Sequence, residues 1–302
     1  MLKHLSKPIA QCGREISVEE LRDICEIVDT CRNLSRRELA ETLSEYLGWY
    51  RVSGRNKVDA CMKLLERLEE SKVFNLPPKR PMRRKHQSSI ALTERTVPQA
   101  EIEMQLKELG TIDLEIAKER ETVELWNEYV MRYHYLGYKK PFGYSLRYFI
   151  KNKEDYLGCA LFSGAAKAIG VRDRFIGWTP EQRLRNLVWV VNNSRFLIFP
   201  WVKVKNLASY VLGRIAREMR GHWEVIWGYQ PVLLETFVDP LRYNGSCYRG
   251  AGWEDLGMTT GQGLVRKGKS YKTQPKKMFI KPLVKNYQEL LCSDILVGRE
   301  AI

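Results

Sequence analysis

The stretch PVLLETFVDPLRYNGSCYRGAGWEDLG, residues 231–257, decides how the rest of the chain is read. Pro231–Asp239 is an apolar run of strand length. Pro240 and Asn244-Gly245 then turn the chain, and a segment of small residues closes on Trp253. The stretch carries two carboxylates (Glu235, Asp239), two arginines (Arg242, Arg249) and three nucleophile candidates (Ser246, Cys247, Tyr248). No other segment gathers so many reactive groups.

Upstream, helical and strand-like patterns alternate. Residues 119–136 and 206–219 repeat apolar positions at helical spacing, and 101–109 and 179–193 read the same way. SLRYFI (145–150), DYLGCALFSG (155–164) and SRFLIFPWV (194–202) read as strands. The expectation is an α/β domain with a mixed sheet over residues 101–264.

Residues 1–76 have a different texture. Residues 17–32 form an amphipathic pattern through Val18, Leu21, Ile24, Cys25 and Val28. Ser35 and Glu38 have capping-box spacing ahead of Leu39, Leu43 and Leu47. A third helix is expected from about Asn56 to Ser71, then a short strand, VFNLP. That order suits a winged-helix-like module that would face DNA with Arg51, Arg55, Asn56 and Lys57. A plain three-helix packing module fits the same pattern.

Residues 77–100 read as a Pro-rich linker in which Lys79, Arg80, Arg83, Arg84 and Lys85 can lie along phosphates. Residues 265–302 read as a basic tail. Arg266, Lys267, Lys269, Lys272, Lys276 and Lys277 interleave there with Tyr271 and Phe279, a pattern suited to phosphate contact and base stacking.

Composition sets outer bounds. The chain has 302 residues, enough for about two domains, and a net charge of +14 that favours a polyanionic partner. Seven cysteines without a CxxC pair indicate reduced thiols, and four histidines argue against a zinc site. No apolar run is long enough to span a bilayer. The expected location is cytoplasmic and nucleoid-associated, with no membrane partner.

YHYLGY (133–138), ETFVDP (235–240) and GSCYRGAGWEDLG (245–257) resemble a bacterial DruA-like family, known from the Druantia anti-phage system and from transposon-encoded relatives. The resemblance extends to SRRELAETLSEYLGW (35–49) in the N-terminal module. It implies a mobile-element or defence protein, with mobile-element DNA ends and a homodimer as partners. The order of elements from 111 to 260 is also similar to an acetyltransferase (GNAT-like) fold. Where such folds carry a Gly-rich pyrophosphate loop, this chain has VKVKNLAS (202–209), without glycine. Coenzyme A is therefore not expected.

Three chemistries follow. The favoured one is a transposase-like enzyme that cleaves or transfers DNA strands through Cys247, with Ser246 and Tyr248 as rivals. Arg242 and Arg249 would stabilise charge on phosphorus, His134 would move a proton, and Glu235 or Asp239 would orient the others. The second is a metal-dependent nuclease in which Glu235 and Asp239, four apart on one strand face, hold Mg²⁺; no other cofactor is expected. The third is a non-catalytic DNA-binding subunit of a defence complex.

Overall fold

Two capping boxes start the N-terminal helices. Ser17 Oγ accepts the Glu20 amide at 3.1 Å while Glu20 accepts the Ser17 amide at 2.9 Å, and Ser35 and Glu38 do the same one helix later. The computed structural model describes residues 7–79, 90–141, 143–153, 155–261 and 274–294. The chain divides into two units: residues 1–87 with 299–302, and residues 88–298.

In the first unit a hairpin of β1 (Ile9–Gln11) and β2 (Arg14–Ile16) precedes α1 (Val18–Thr30), α2 (Arg36–Tyr46) and α3 (Val58–Glu70). Leu21, Ile24, Leu39, Leu43, Leu64 and Leu65 meet in a core with no solvent exposure, which follows from their helical spacing. Among the described residues no hairpin follows α3, and the expected VFNLP strand joins no ladder. A three-helix module with an N-terminal hairpin is what these residues make.

The second unit is a mixed α/β layer. Its remaining elements are β3 (Ile102–Glu103), β4 (Asp113–Ile116), α4 (Arg120–Tyr133), β5 (Ser145–Asn152), β6 (Asp155–Gly164), α5 (Gly170–Ile176) and α6 (Pro180–Asn186). After them come β7 (Val190–Ile198), β8 (Val202–Lys203), α7 (Leu207–Trp227), β9 (Leu233–Val238), α8 (Ser246–Gly250), β10 (Glu254–Met258), β11 (Lys277–Pro282) and α9 (Tyr287–Cys292). Seven strands form one sheet in the order β10-β11-β9-β7-β6-β5-β4. Every neighbouring pair is antiparallel except β7 and β9. The connection between those two runs through α7, since parallel neighbours need a crossover.

Several expectations change here. Residues 101–109 give β3 and turns instead of a helix. The expected helix 179–193 stops at Asn186, and Val190–Asn193 open β7, because β-branched residues pack better on a pleated sheet. The stretch 90–100 is tied down: Thr93 and Thr96 donate to Glu128 on α4. From Lys277 the expected basic tail is an interior strand, and Phe279 is buried in the core and not available for base stacking.

Candidate functional site at the parted strands

β7 and β9 pair only from Val190–Asn193 to Leu233–Thr236. Past that point β7 runs on to Ile198 and β9 to Val238, but the ladder between them stops. The register shift between β6 and β7 falls at the same place, beside Asn193 and Arg195, and bulges re-aim strands in this way. The result is a fork between two parallel strands near the middle of the sheet.

Neighbouring residues of β9 point to opposite faces, and the fork uses both. On one face Thr236 donates to the Asn193 carbonyl at 2.9 Å, and the Tyr248 hydroxyl donates to Asn193 Oδ1 at 2.7 Å. Burial holds the Tyr248 phenol above its ordinary pKa, so it keeps its proton at neutral pH. Phe279 stacks on the same ring at 5.7 Å. The turn before α8 needs Gly245: its φ is +79°, and a Cβ there would come within 2.6 Å of Phe279 Cε2.

On the other face Glu235 is closed off. Its two oxygens accept from the Ala166 amide at 2.8 Å and from Arg172 Nη1 at 2.7 Å, with both charged side chains fully buried. Arg172 also bonds Asp173, which in turn pairs with Arg183 and accepts from Trp178. Burial opposes the Arg172 charge, but Glu235 and Asp173 outweigh it and raise its pKa. This network anchors α5 to the sheet.

Asp239 lies beyond the end of β9 and does not share a ladder face with Glu235. Its Oδ1 accepts the Leu241 amide at 3.0 Å, and its Oδ2 is 3.9 Å from Arg242. The Arg242 guanidinium sits 5.0 Å over Tyr135, and Tyr135 meets Tyr243 at 5.8 Å. The YHYLGY segment and the loop after β9 therefore meet at the mouth of the fork. His134 stands beside them with its pKa lowered to about 4, by burial first and by the Arg195 charge second. Its Nδ1 accepts the Leu136 amide at 3.2 Å. A neutral ring with that nitrogen occupied carries its proton on Nε2. Of the two proton-moving roles open to it, general acid or general base, this arrangement leaves His134 a hydrogen-bond donor at Nε2.

Cys247 lies in the first turn of α8, half-buried, and its thiol pKa is raised, chiefly by burial. Backbone hydrogen bonds and Arg249 oppose that shift without reversing it. Arg249 turns to Asp255 at 3.2 Å and to the Asn244 carbonyl at 2.8 Å. An activated thiolate needs the opposite balance.

Three residues that matter here had weak sequence signals. Arg172 stands in an otherwise unremarkable helix, Asn193 in a strand that reads as helix, and Asn206 in the loop without glycine. Asn206 takes the left-handed conformation, φ +67°, at the start of the 21-residue α7. Asn is the residue other than glycine that adopts it most readily. The missing glycine therefore does not remove the turn.

Residues 67–274 match the family model described as Druantia protein DruA. The chain belongs to the DruA family. No curated protein matches it. Among solved structures it is similar to a Bacillus subtilis acetyltransferase in complex with coenzyme A, at 8% identity and TM-score 0.33, covering 58% of this chain and 100% of that one. It is also similar to a chimera of the Vibrio cholerae and hSSAT spermidine N-acetyltransferases, at 11% identity and TM-score 0.37, covering 58% and 97%. A third is aminoglycoside acetyltransferase AAC(6')-Ib in complex with coenzyme A, at 13% identity and TM-score 0.34, covering 59% and 98%. Such distant likenesses concern the layout of strands and helices, not activity.

With Cys247 unactivated and Glu235 closed by Arg172, the expected DNA strand transfer is corrected. The Mg²⁺ alternative goes with it: among the described residues no group of three or more His, Cys, Asp or Glu can hold a metal ion. The expected partners, double-stranded DNA and a homodimer on it, are withdrawn, and so is the DNA-binding-subunit reading. Of the cations assigned to DNA, Arg51 pairs with Asp59, Lys79 pairs with Glu66, and Lys57 lies 5.9 Å over Trp49. Asn56 is held in a backbone bridge to Tyr50, and Arg55 is exposed. Lys277 is in β11, and Lys276 donates its amide to Thr259. Arg80, Arg83, Arg84, Lys85, Arg266, Lys267, Lys269, Lys272 and Tyr271 lie outside the described residues. The expected absence of coenzyme A is also withdrawn, because it rested on the missing glycine, and Asn206 supplies the left-handed turn ahead of α7 without one. No described helix is long and apolar enough to cross a membrane.

Proposed function

We propose that the α/β unit takes an acyl group from a coenzyme A thioester and transfers it to an amine. The observation that carries this reading is the fork, where the β7–β9 ladder stops while both strands continue. An extended ligand with amide groups can pair along such an edge as an added strand. The pantetheine arm of coenzyme A is a ligand of that kind.

A second feature supports the reading. α7 begins a few residues after β7, and the first amides of a long helix favour a pyrophosphate through unpaired N–H groups and the helix dipole. Lys205, exposed beside the turn at Asn206, adds a positive charge. The bound thioester supplies the activated acyl carbon. The chain's own residues hold and orient it. Tyr248 is a positioning residue that fixes Asn193 at the fork. His134 Nε2–H can donate to a carbonyl oxygen near the mouth. Asp239, only loosely paired with Arg242 at 3.9 Å, is the carboxylate at the mouth that an amine on the acceptor would meet.

Ala208→Glu tests the reading. An acid in the first turn favours the helix but repels a bound anion. Calorimetry should find coenzyme A binding to the native chain and at least a tenfold weaker affinity in Ala208→Glu, with the melting temperature unchanged or raised. No binding to the native chain would overturn the reading. Equal binding by both chains would move the pyrophosphate away from α7.

A further inference from the structure

A second cationic site lies along the middle of α7, outside the fork. Gly213, Ala216, Arg217 and Arg220 fall at positions i, i+3, i+4 and i+7 of that helix and so share one face. They line a groove of about 520 Å³, which Lys281 and Pro282 of β11 and Gln230 complete. A volume of this size accommodates a small ligand. Gly213 and Ala216 keep its floor low.

The charge in the groove is one-sided. Arg217, Arg220 and Lys281 line it, and no carboxylate does. The other arginine on this part of the helix, Arg214, is paired with Glu218 at 2.7 Å, whereas Arg217 and Arg220 form no ion pair among the described residues. Arg220 Nε is buried without a hydrogen-bond partner. Like charges three apart on a helix destabilise it, and a buried donor left unpaired adds to the cost. Neither arrangement helps the fold, and both are relieved by a bound polyanion.

The geometry points to this groove as a binding site for a small molecule carrying more than one phosphate group. Three cations surround it, more than a single phosphate requires, and arginine forks match phosphate oxygens in pairs. The site does not depend on acyl transfer at the fork.

Inorganic pyrophosphate is the probe, titrated calorimetrically into the full chain carrying Ala208→Glu, so that the start of α7 does not contribute. Pyrophosphate should bind at low ionic strength, more tightly than inorganic phosphate. Adding Arg217→Gln and Arg220→Gln should weaken it at least tenfold, whereas removing two exposed charges elsewhere, Lys107→Gln with Lys167→Gln, should change it less than twofold. Absence of binding, an equal loss in the control, or equal affinity for inorganic phosphate would overturn the proposal. A native chain that fails to bind coenzyme A while pyrophosphate still occupies the groove would refute the acyl-transfer reading and leave this one standing.

Discussion

Glu235→Gln should lower stability without depending on any reaction. Glu235 and Arg172 are both fully buried and meet at 2.7 Å. Gln keeps an acceptor for the Ala166 amide, but its NH₂ would face the Arg172 donor. Removing one partner of a buried pair costs about 3 to 5 kcal/mol. Asp173 still neutralises Arg172, so the lower end, about 3 kcal/mol, applies. For a unit of this size that corresponds to a fall in Tm of roughly 6 to 12 °C. Scanning calorimetry would measure it. The companion double variant, Arg172→Met with Glu235→Leu, should lose at least ~2 kcal/mol less than the sum of its single variants, because contacting charges couple. A Glu235→Gln protein that melts within about 2 °C of the native chain would refute the idea that this carboxylate is structural.

Further outcomes follow from other residues. The lowered pKa of His134 means that the folded state resists its protonation, so its contribution is present above about pH 6.5 and is lost as pH falls toward 4. His134→Asn should remove up to ~2 kcal/mol of that pH dependence in urea titrations at pH 7 and pH 4.5; an unchanged difference would count against a half-buried neutral ring. Gly245→Ala should destabilise by at least ~2 kcal/mol, since both its φ and the Phe279 ring oppose a Cβ; a neutral result by thermal melting would mean that the turn rearranges. In the native chain a thiol reagent at neutral pH should modify exposed Cys12 before half-buried Cys247; faster reaction at Cys247 would reopen its candidacy as a nucleophile.

Local signals in the sequence were strong where neighbours in sequence make the contact. The Ser35–Glu38 box, the amphipathic first helix and the 231–239 strand are of that kind, and each is present. The helix read over 179–193 failed because the pairing of Val190–Asn193 with β6 and β9 outweighs helical spacing. The basic tail was misread for a related reason. Three cations precede or flank Met278–Ile280, and only the sheet order shows that those apolar residues are buried. YHYLGY and the segment after β9 stand out in the sequence, and the fold brings the two together. The sequence could not show which side chains close on each other. Glu235 turns away to Arg172, 63 positions earlier in the chain, and no periodicity encodes that choice.

The place of β11 bears on how the protein is made. This strand lies between β9 and β10, second from one edge, so that end of the sheet stays unfinished until residues 277–282 have been synthesised. From the end of β9 at Val238 to the end of β11 at Pro282, a ribosome adding about 5 to 20 residues per second needs roughly 2 to 9 s. During that interval the β9 edge is bare, and the Tyr248 ring lacks Phe279. A nascent chain interrupted there would present an apolar strand edge able to pair with another copy. Completion of one late strand separates a soluble sheet from a sticky one.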